Sequence, residues 1–304
     1  MKHQLTGLIA APFTPLQPDG SLNLDAIEKQ AAAMSANGVA GVFICGSTGE
    51  GVSLTIAERR QVAERWKAVG GDDLILIVHV GHECLTDARE LAAHARQIGA
   101  DAVAALGPRY FKPANVDDLV AFCAEIARAA PDLPFYYYHI PSMTGLSFGM
   151  YDFIVAARER IPNLAGFKFT HEDLLDFGRC RRSFGDDLNI LFGRDEMLLG
   201  ALALGARGAV GSTYNFAAPL ARRLIAAYQK GDMAAAQREQ ARSQEMITVF
   251  RGYGGIVGMK AVMKMIGIDC GPVRLPLRNL APEQCERLQA ELDRIGFFSF
   301  IQKG

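Results

Sequence analysis

The chain has 304 residues, of which 50% are hydrophobic and 21% charged, so it carries ample apolar material for a large core and no disorder signature. A formal net charge of -1 and a pI near 6.6 remove the usual electrostatic case for nucleic acid or an anionic membrane. A small-molecule partner is the better expectation, and no apolar run reaches the roughly 18 residues of a membrane span.

Met1-Lys2-His3-Gln4 leads straight into a strand-like run, with no secretory h-region before it. Cys45, Cys84, Cys123, Cys180, Cys270 and Cys285 stand singly, with no CxxC pair, which favours reduced thiols over a disulfide framework or a zinc site. A cytoplasmic protein is the expectation.

Along the chain, short apolar runs bounded by Gly, Pro or Asp lie at 7–13, 41–46, 74–81, 101–107, 134–140, 164–170, 188–193 and 207–212. They are apolar on both faces, as strands of a covered parallel sheet are. Amphipathic segments follow them at 24–37, 56–69, 86–98, 116–129, 149–159, 172–183, 195–204 and 216–229. Asn23 stands as a candidate cap for the first, and Thr55 with Glu58 forms a capping-box pattern before the second. Eight strand-helix units predict an α/β (β/α)8 TIM barrel over 1–230. A doubly wound sheet is the competitor, but the first strand ends in Ala11-Pro12-Phe13-Thr14-Pro15 without a glycine fingerprint. Further helices at 232–250, 255–266 and 282–294 predict a C-terminal appendage over 231–304, packed on the barrel as part of one structural unit.

Barrel chemistry gathers at the C-terminal strand ends. The run 164–170 carries Lys168, and alternation puts it on one face with Gly166 and Thr170, opposite Phe167 and Phe169. A primary amine buried among apolar groups is costly to keep charged, and a neutral amine attacks carbonyls. A lysine that snorkels to the strand end is the other reading. Gly46-Ser47-Thr48-Gly49-Glu50-Gly51 follows the second run, and such a loop can converge N–H groups on a carboxylate or simply form a tight turn. Tyr136 and Tyr138 share a face; Tyr138, nearer the strand end, is either a proton relay or a core aromatic. Asp195 and Glu196 at the seventh strand end could hold polyol hydroxyls or cap a helix. His79, His82, His139 and His171 have no carboxylate at motif spacing, so a metal-dependent barrel is not expected.

In order and spacing, GSTGEG (46–51), YYYHIP (136–141), GFKFT (166–170), FGRDE (192–196) and GSTYN (211–215) resemble the dihydrodipicolinate synthase / N-acetylneuraminate lyase family of pyruvate-handling class I aldolases. The resemblance covers nearly the whole chain. It implies that Lys168 forms a Schiff base with a 2-keto acid, that Tyr138 relays protons, and that Ser47 and Thr48 hold the substrate carboxylate, with no cofactor or metal. HEDLLDFG (171–178) and His139, where an Asn is more usual, are most like the animal-type lyases of the family. That likeness implies reversible cleavage of N-acetylneuraminate to pyruvate and N-acetylmannosamine, with Thr170, Gly193, Asp195, Glu196 and Ser212 as sugar-chain contacts. Tyr110 would be an active-site tyrosine reached near a subunit interface, and a homotetramer is the implied assembly. Met143 stands where the synthases carry an arginine for a substrate carboxylate, and a thioether cannot supply that charge-assisted contact. A related aldolase or dehydratase for another 2-keto acid, or an inactive ligand-binding relative, remains open.

Overall fold

In the computed structural model, which describes residues 5–71 and 73–302, eight parallel strands close into a barrel in sequence order. They are β1 (Gly7–Ala10), β2 (Gly41–Ile44), β3 (Ile75–His79), β4 (Ala102–Ala105), β5 (Phe135–His139), β6 (Leu164–Phe169), β7 (Asn189–Phe192) and β8 (Gly208–Gly211). Each fills one of the eight expected runs, and β1 pairs with β8 to close the ring. The TIM barrel therefore stands.

The helices are α1 (Ala26–Ala36), α2 (Ile56–Gly70), α3 (Leu85–Gln97), α4 (Val116–Arg128), a short α5 (Pro141–Thr144), α6 (Met150–Ala157), α7 (Leu174–Phe184), α8 (Leu198–Ala203) and α9 (Ala218–Gln229). After them come α10 (Met233–Gly252), α11 (Ile256–Met265), α12 (Pro282–Arg294) and a short α13 (Phe297–Phe300). The capping box forms as expected: Glu58 N donates to Thr55 Oγ1 at 3.2 Å, and Thr55 N to Glu58 Oε2 at 2.9 Å. Asn23 does not cap by its side chain. The first helix starts later, and Asn23 meets it through its carbonyl, which accepts from Ala26 N at 3.3 Å.

The segment expected as one helix over 195–204 is broken. Asp195–Met197 forms a separate 3-10 turn, because the Asp195 carbonyl accepts from Gln240 Nε2 at 3.1 Å while its carboxylate turns back to Thr213. Thr213–Asn215 likewise turns before α9, pinned by Asn215 Nδ2 donating to Ala11 O at 2.7 Å. The period of hydrophobic residues carries no trace of such side-chain anchors.

Alternation sorts the strand residues into two cores. Ile9, Phe43, Ile77, Ala104, Tyr136, Tyr138, Leu191 and Val210 fill the barrel, while Leu8, Val42, Val78, Tyr137, Phe167 and Phe169 face the helices. Deep in the barrel, Tyr136 OH donates to Asn189 Oδ1 at 3.2 Å, and Asn189 Nδ2 donates to Leu5 O at 2.8 Å. A third core joins Phe13 and Phe216 of the barrel to Phe250, Val262, Leu288 and Phe297 of the C-terminal helices. Gly254 and Gly255 take φ 74° and 58°, a left-handed pair that reverses the chain between α10 and α11. Among the described residues, no helix is long and apolar enough to cross a membrane.

Candidate active site

Lys168 sits near the end of β6, 5% exposed, with Nζ 4.4 Å from the ring centre of Phe43 and 4.2 Å from that of Tyr138. It does not snorkel to the surface. A bulge decides its neighbour. Phe135 pairs with Leu164, but Tyr136 pairs with Gly166, so Ala165 is skipped and Tyr138 comes to lie opposite Lys168. Continued pairing without the skip would have set Tyr138 against the outward Phe167. Gly166 suits this close passage, because a Cβ there would lie 1.8 Å from Asn189 O.

The lysine borders a cavity of about 450 Å³ at the C-terminal mouth of the barrel. Ser47, Thr48, Tyr138, Thr170, Gly193, Asp195, Glu196 and Ser212 line it with Lys168, which brings together nine of the ten expected site residues. Tyr138 OH and Ser47 Oγ are 3.4 Å apart, and Thr48 Oγ1 and Ser212 Oγ 2.6 Å apart, so hydroxyls from β2, β5 and β8 converge beside the amine. Thr170 Oγ1 is buried with no hydrogen-bond partner among the described residues and borders this cavity. Gly193 is required beside it: a Cβ would come within 2.1 Å of Thr170 Oγ1.

Asp195 is buried, with Oδ2 accepting from Thr213 N at 3.0 Å and from Thr213 Oγ1 at 2.6 Å. Burial lifts its carboxyl to about 6; the two Thr213 bonds and Lys168 pull it down, and the charge of Glu196 pushes it up. Glu196 is held by Arg251 Nη2 at 2.8 Å and Arg194 Nη1 at 3.5 Å. Behind Tyr138, burial and the charge of Arg59 hold His79 well below its ordinary value, so its imidazole is neutral against the phenol ring 5.8 Å away.

Tyr110 lies apart. It is 83% exposed and packs edge-on against the equally exposed Phe111, outside the cavity. His139 is also outside, on the helix-facing side of β5 among Tyr137, Phe169 and His171. Among the described residues, no group of three or more His, Cys, Asp or Glu is placed to hold a metal ion, and the six thiols are unpaired.

Sequence reasoning missed one wall. Ile247, Phe250, Arg251, Gly255 and Met259 of the α10–α11 region line the cavity, together with Met143 and Leu277. In the sequence, Gly252-Tyr253-Gly254-Gly255 between the expected helices 232–250 and 255–266 marks a helix boundary there and nothing more.

The sequence profile of the Dihydrodipicolinate synthetase family matches residues 4–295. The chain belongs to this family. Among its curated relatives, the N-acetylneuraminate lyase of Rattus norvegicus is 42% identical, across 98% of this chain and 95% of that protein. The solved Proteus mirabilis N-acetylneuraminate lyase is 43% identical, with a TM-score of 0.94 over 97% of this chain and all of that one (100%). The Ruminococcus gnavus sialic acid aldolase catalytic lysine mutant is 28% identical, with a TM-score of 0.90 over 96% of this chain and 95% of that one. For a member of the family, the fold and the inward lysine were thus readable from sequence, and the wall from α10–α11 was not.

Proposed function

We propose that this chain is a class I aldolase that cleaves open-chain N-acetylneuraminate reversibly to pyruvate and N-acetylmannosamine. The observation that carries the reading is the buried amine of Lys168, set between two rings at the floor of a cavity whose polar wall can take a polyol. Relatives named for this activity, 42% identical over nearly the whole chain, support it, as does a structural neighbour whose name places a catalytic lysine in a sialic acid aldolase.

In the proposed sequence, Lys168 Nζ adds to the C2 ketone, and loss of water leaves an iminium. Removal of the C4 hydroxyl proton, by Tyr138 or through the substrate carboxylate, breaks the C3–C4 bond. The bonding pair passes into the iminium, giving an enamine and the free aldehyde. Protonation at C3 and hydrolysis then release pyruvate and restore the amine. Tyr136 is the weaker choice for the relay, since its hydroxyl is spent on Asn189 below the cavity. Ser47 and Thr48 hold the carboxylate, so orientation contributes alongside covalency. Thr170, Gly193, Asp195, Glu196 and Ser212 contact the sugar chain. Met143 at the cavity edge supports a neutral polyol there over a second carboxylate.

The chemistry needs no metal or other cofactor. The assembly is a homotetramer, in which the exposed Tyr110–Phe111 pair meets a second copy near its site. Six unpaired thiols support a reducing cytoplasm. The test is borohydride trapping with pyruvate, followed by intact mass and peptide mapping, beside turnover of N-acetylneuraminate. We expect one adduct on Lys168 and release of pyruvate from the sugar, with both lost in Lys168→Ala. An adduct on another residue, or trapping retained in that variant, would overturn the assignment.

A further inference from the structure

The loop that carries Ser47 and Thr48 is gripped from behind by chain outside the barrel. Glu50, two residues past Thr48, has a left-handed backbone at φ 51° and is 3% exposed. Both its carboxylate oxygens are occupied by the C-terminal region: Oε1 by Lys260 Nζ of α11 at 2.7 Å, and Oε2 by Arg274 N at 2.8 Å. Lys260, 2% exposed, donates its other protons to Thr14 O at 3.0 Å and Pro272 O at 2.6 Å. Thr14 Oγ1 returns to the loop by donating to Gly49 O at 2.6 Å. Arg274 adds a bond from Nη1 to Ser53 O at 2.9 Å and an ion pair with Glu58. There is no slack on the near side, since a Cβ on Gly51 would lie 1.9 Å from Cys45 O.

A buried ion pair is poor value as a stabiliser, because removing two charges from water offsets most of their attraction. Its directional bonds do fix geometry. We infer that Lys260 and Glu50 are positioning residues that set the Ser47–Thr48 loop to receive the carboxylate of the 2-keto acid, making the C-terminal helices part of the binding site. The inference rests on the proposed role of that loop. Neither side chain borders the cavity, so the pair acts through the loop backbone and not by touching substrate.

The experiment uses the 304-residue chain and the double variant Glu50→Gln/Lys260→Met, which keeps the volume and leaves no orphaned charge. Borohydride trapping at Lys168 is titrated with pyruvate and, in parallel, with methyl pyruvate, whose ester carries no charge; thermal unfolding is followed beside it. The expected result is at least a tenfold rise in half-saturating pyruvate, unchanged maximal trapping, and a much smaller rise for methyl pyruvate. If the double variant does not fold, Glu50→Asp reads the same quantity, because it retracts the carboxylate by one methylene and keeps both charges. A folded variant with wild-type half-saturation, or an equal rise for ketone acid and ester, would overturn the inference while leaving Lys168 in place. Absence of any adduct on the wild-type chain would instead sink the reading of the site, and this inference with it.

Discussion

Asp195 carries a stability cost that can be measured apart from catalysis. The ordinary aspartate value of 3.8 and the buried value of about 6 differ by about 2, and at about 1.4 kcal/mol per pH unit the charged form costs the fold about 3 kcal/mol. The sign follows from proton counting. Between 3.8 and about 6 the unfolded chain has released the proton and the folded chain still holds it, so this group makes stability fall as pH rises. The penalty is absent below 3.8, reaches about 1.5 kcal/mol near pH 5 and is complete above about 7. Asp195→Asn removes the charge and keeps an oxygen to accept from Thr213. The variant should therefore unfold at a higher temperature than the wild type at pH 8, by about 6 °C at roughly 2 °C per kcal/mol, and by about half as much at pH 5. Thermal unfolding of both proteins from pH 5 to 8 checks this. A difference that does not change with pH would refute a buried, uncharged-preferring carboxyl. A gain in stability with loss of sugar turnover would mark Asp195 as retained for binding at the expense of the fold.

Two further outcomes follow from distances at the same site. Gly193→Ala drives a methyl into Thr170 Oγ1, so kcat/KM for N-acetylneuraminate should fall at least tenfold while half-saturation of pyruvate trapping moves less than twofold; equal loss in both assays would contradict a sugar-side role for Thr170. Phe43→Ala empties part of the barrel interior and removes one ring from Lys168, and should cost about 3–5 kcal/mol in denaturant unfolding while slowing imine formation. A loss below about 1 kcal/mol would mean the barrel closes over the gap.

The inward direction of Lys168 was legible because a strand has a period of two, and the same rule separated Tyr136 and Tyr138 from Tyr137. Tyr138 was picked out by its place nearer the strand end and by the family resemblance, but its register against Lys168 was not legible, since that depends on the bulge at Ala165, a property of two strands pairing and not of either alone. Thr55 and Glu58 formed their box because all its parts lie within four residues. Asn23 failed as a side-chain cap because the helix starts only at Ala26, which puts Asp25 and not Asn23 at the cap position. The separate turn at Asp195–Met197 was hidden because the anchors of its first carbonyl, Gln240 and Ser243, are more than forty residues away. Tyr110 is 83% exposed and lies outside the cavity of this chain, where nothing in the strand period could have placed it.

These differences divide the cavity into two ends of unequal rigidity. Lys168, Tyr138 and Ser212 are fixed by strands or by the turns that leave them, and moving one would open ladder bonds of a closed barrel. Glu196 is held differently. Its partner Arg251 is 64% exposed at the end of α10, and an ion pair so open to water contributes little to stability. Its effect is orientation, setting the Glu196 carboxylate at the cavity wall. The turn at Gly254 and Gly255 follows at once and carries α11, so residues that line the cavity and the lysine that grips the Ser47–Thr48 loop through Glu50 lie on one C-terminal hairpin. On the proposed reading, substitutions on α10 should change sugar turnover without changing pyruvate trapping at Lys168, whereas substitutions at Lys260 should change half-saturation by pyruvate.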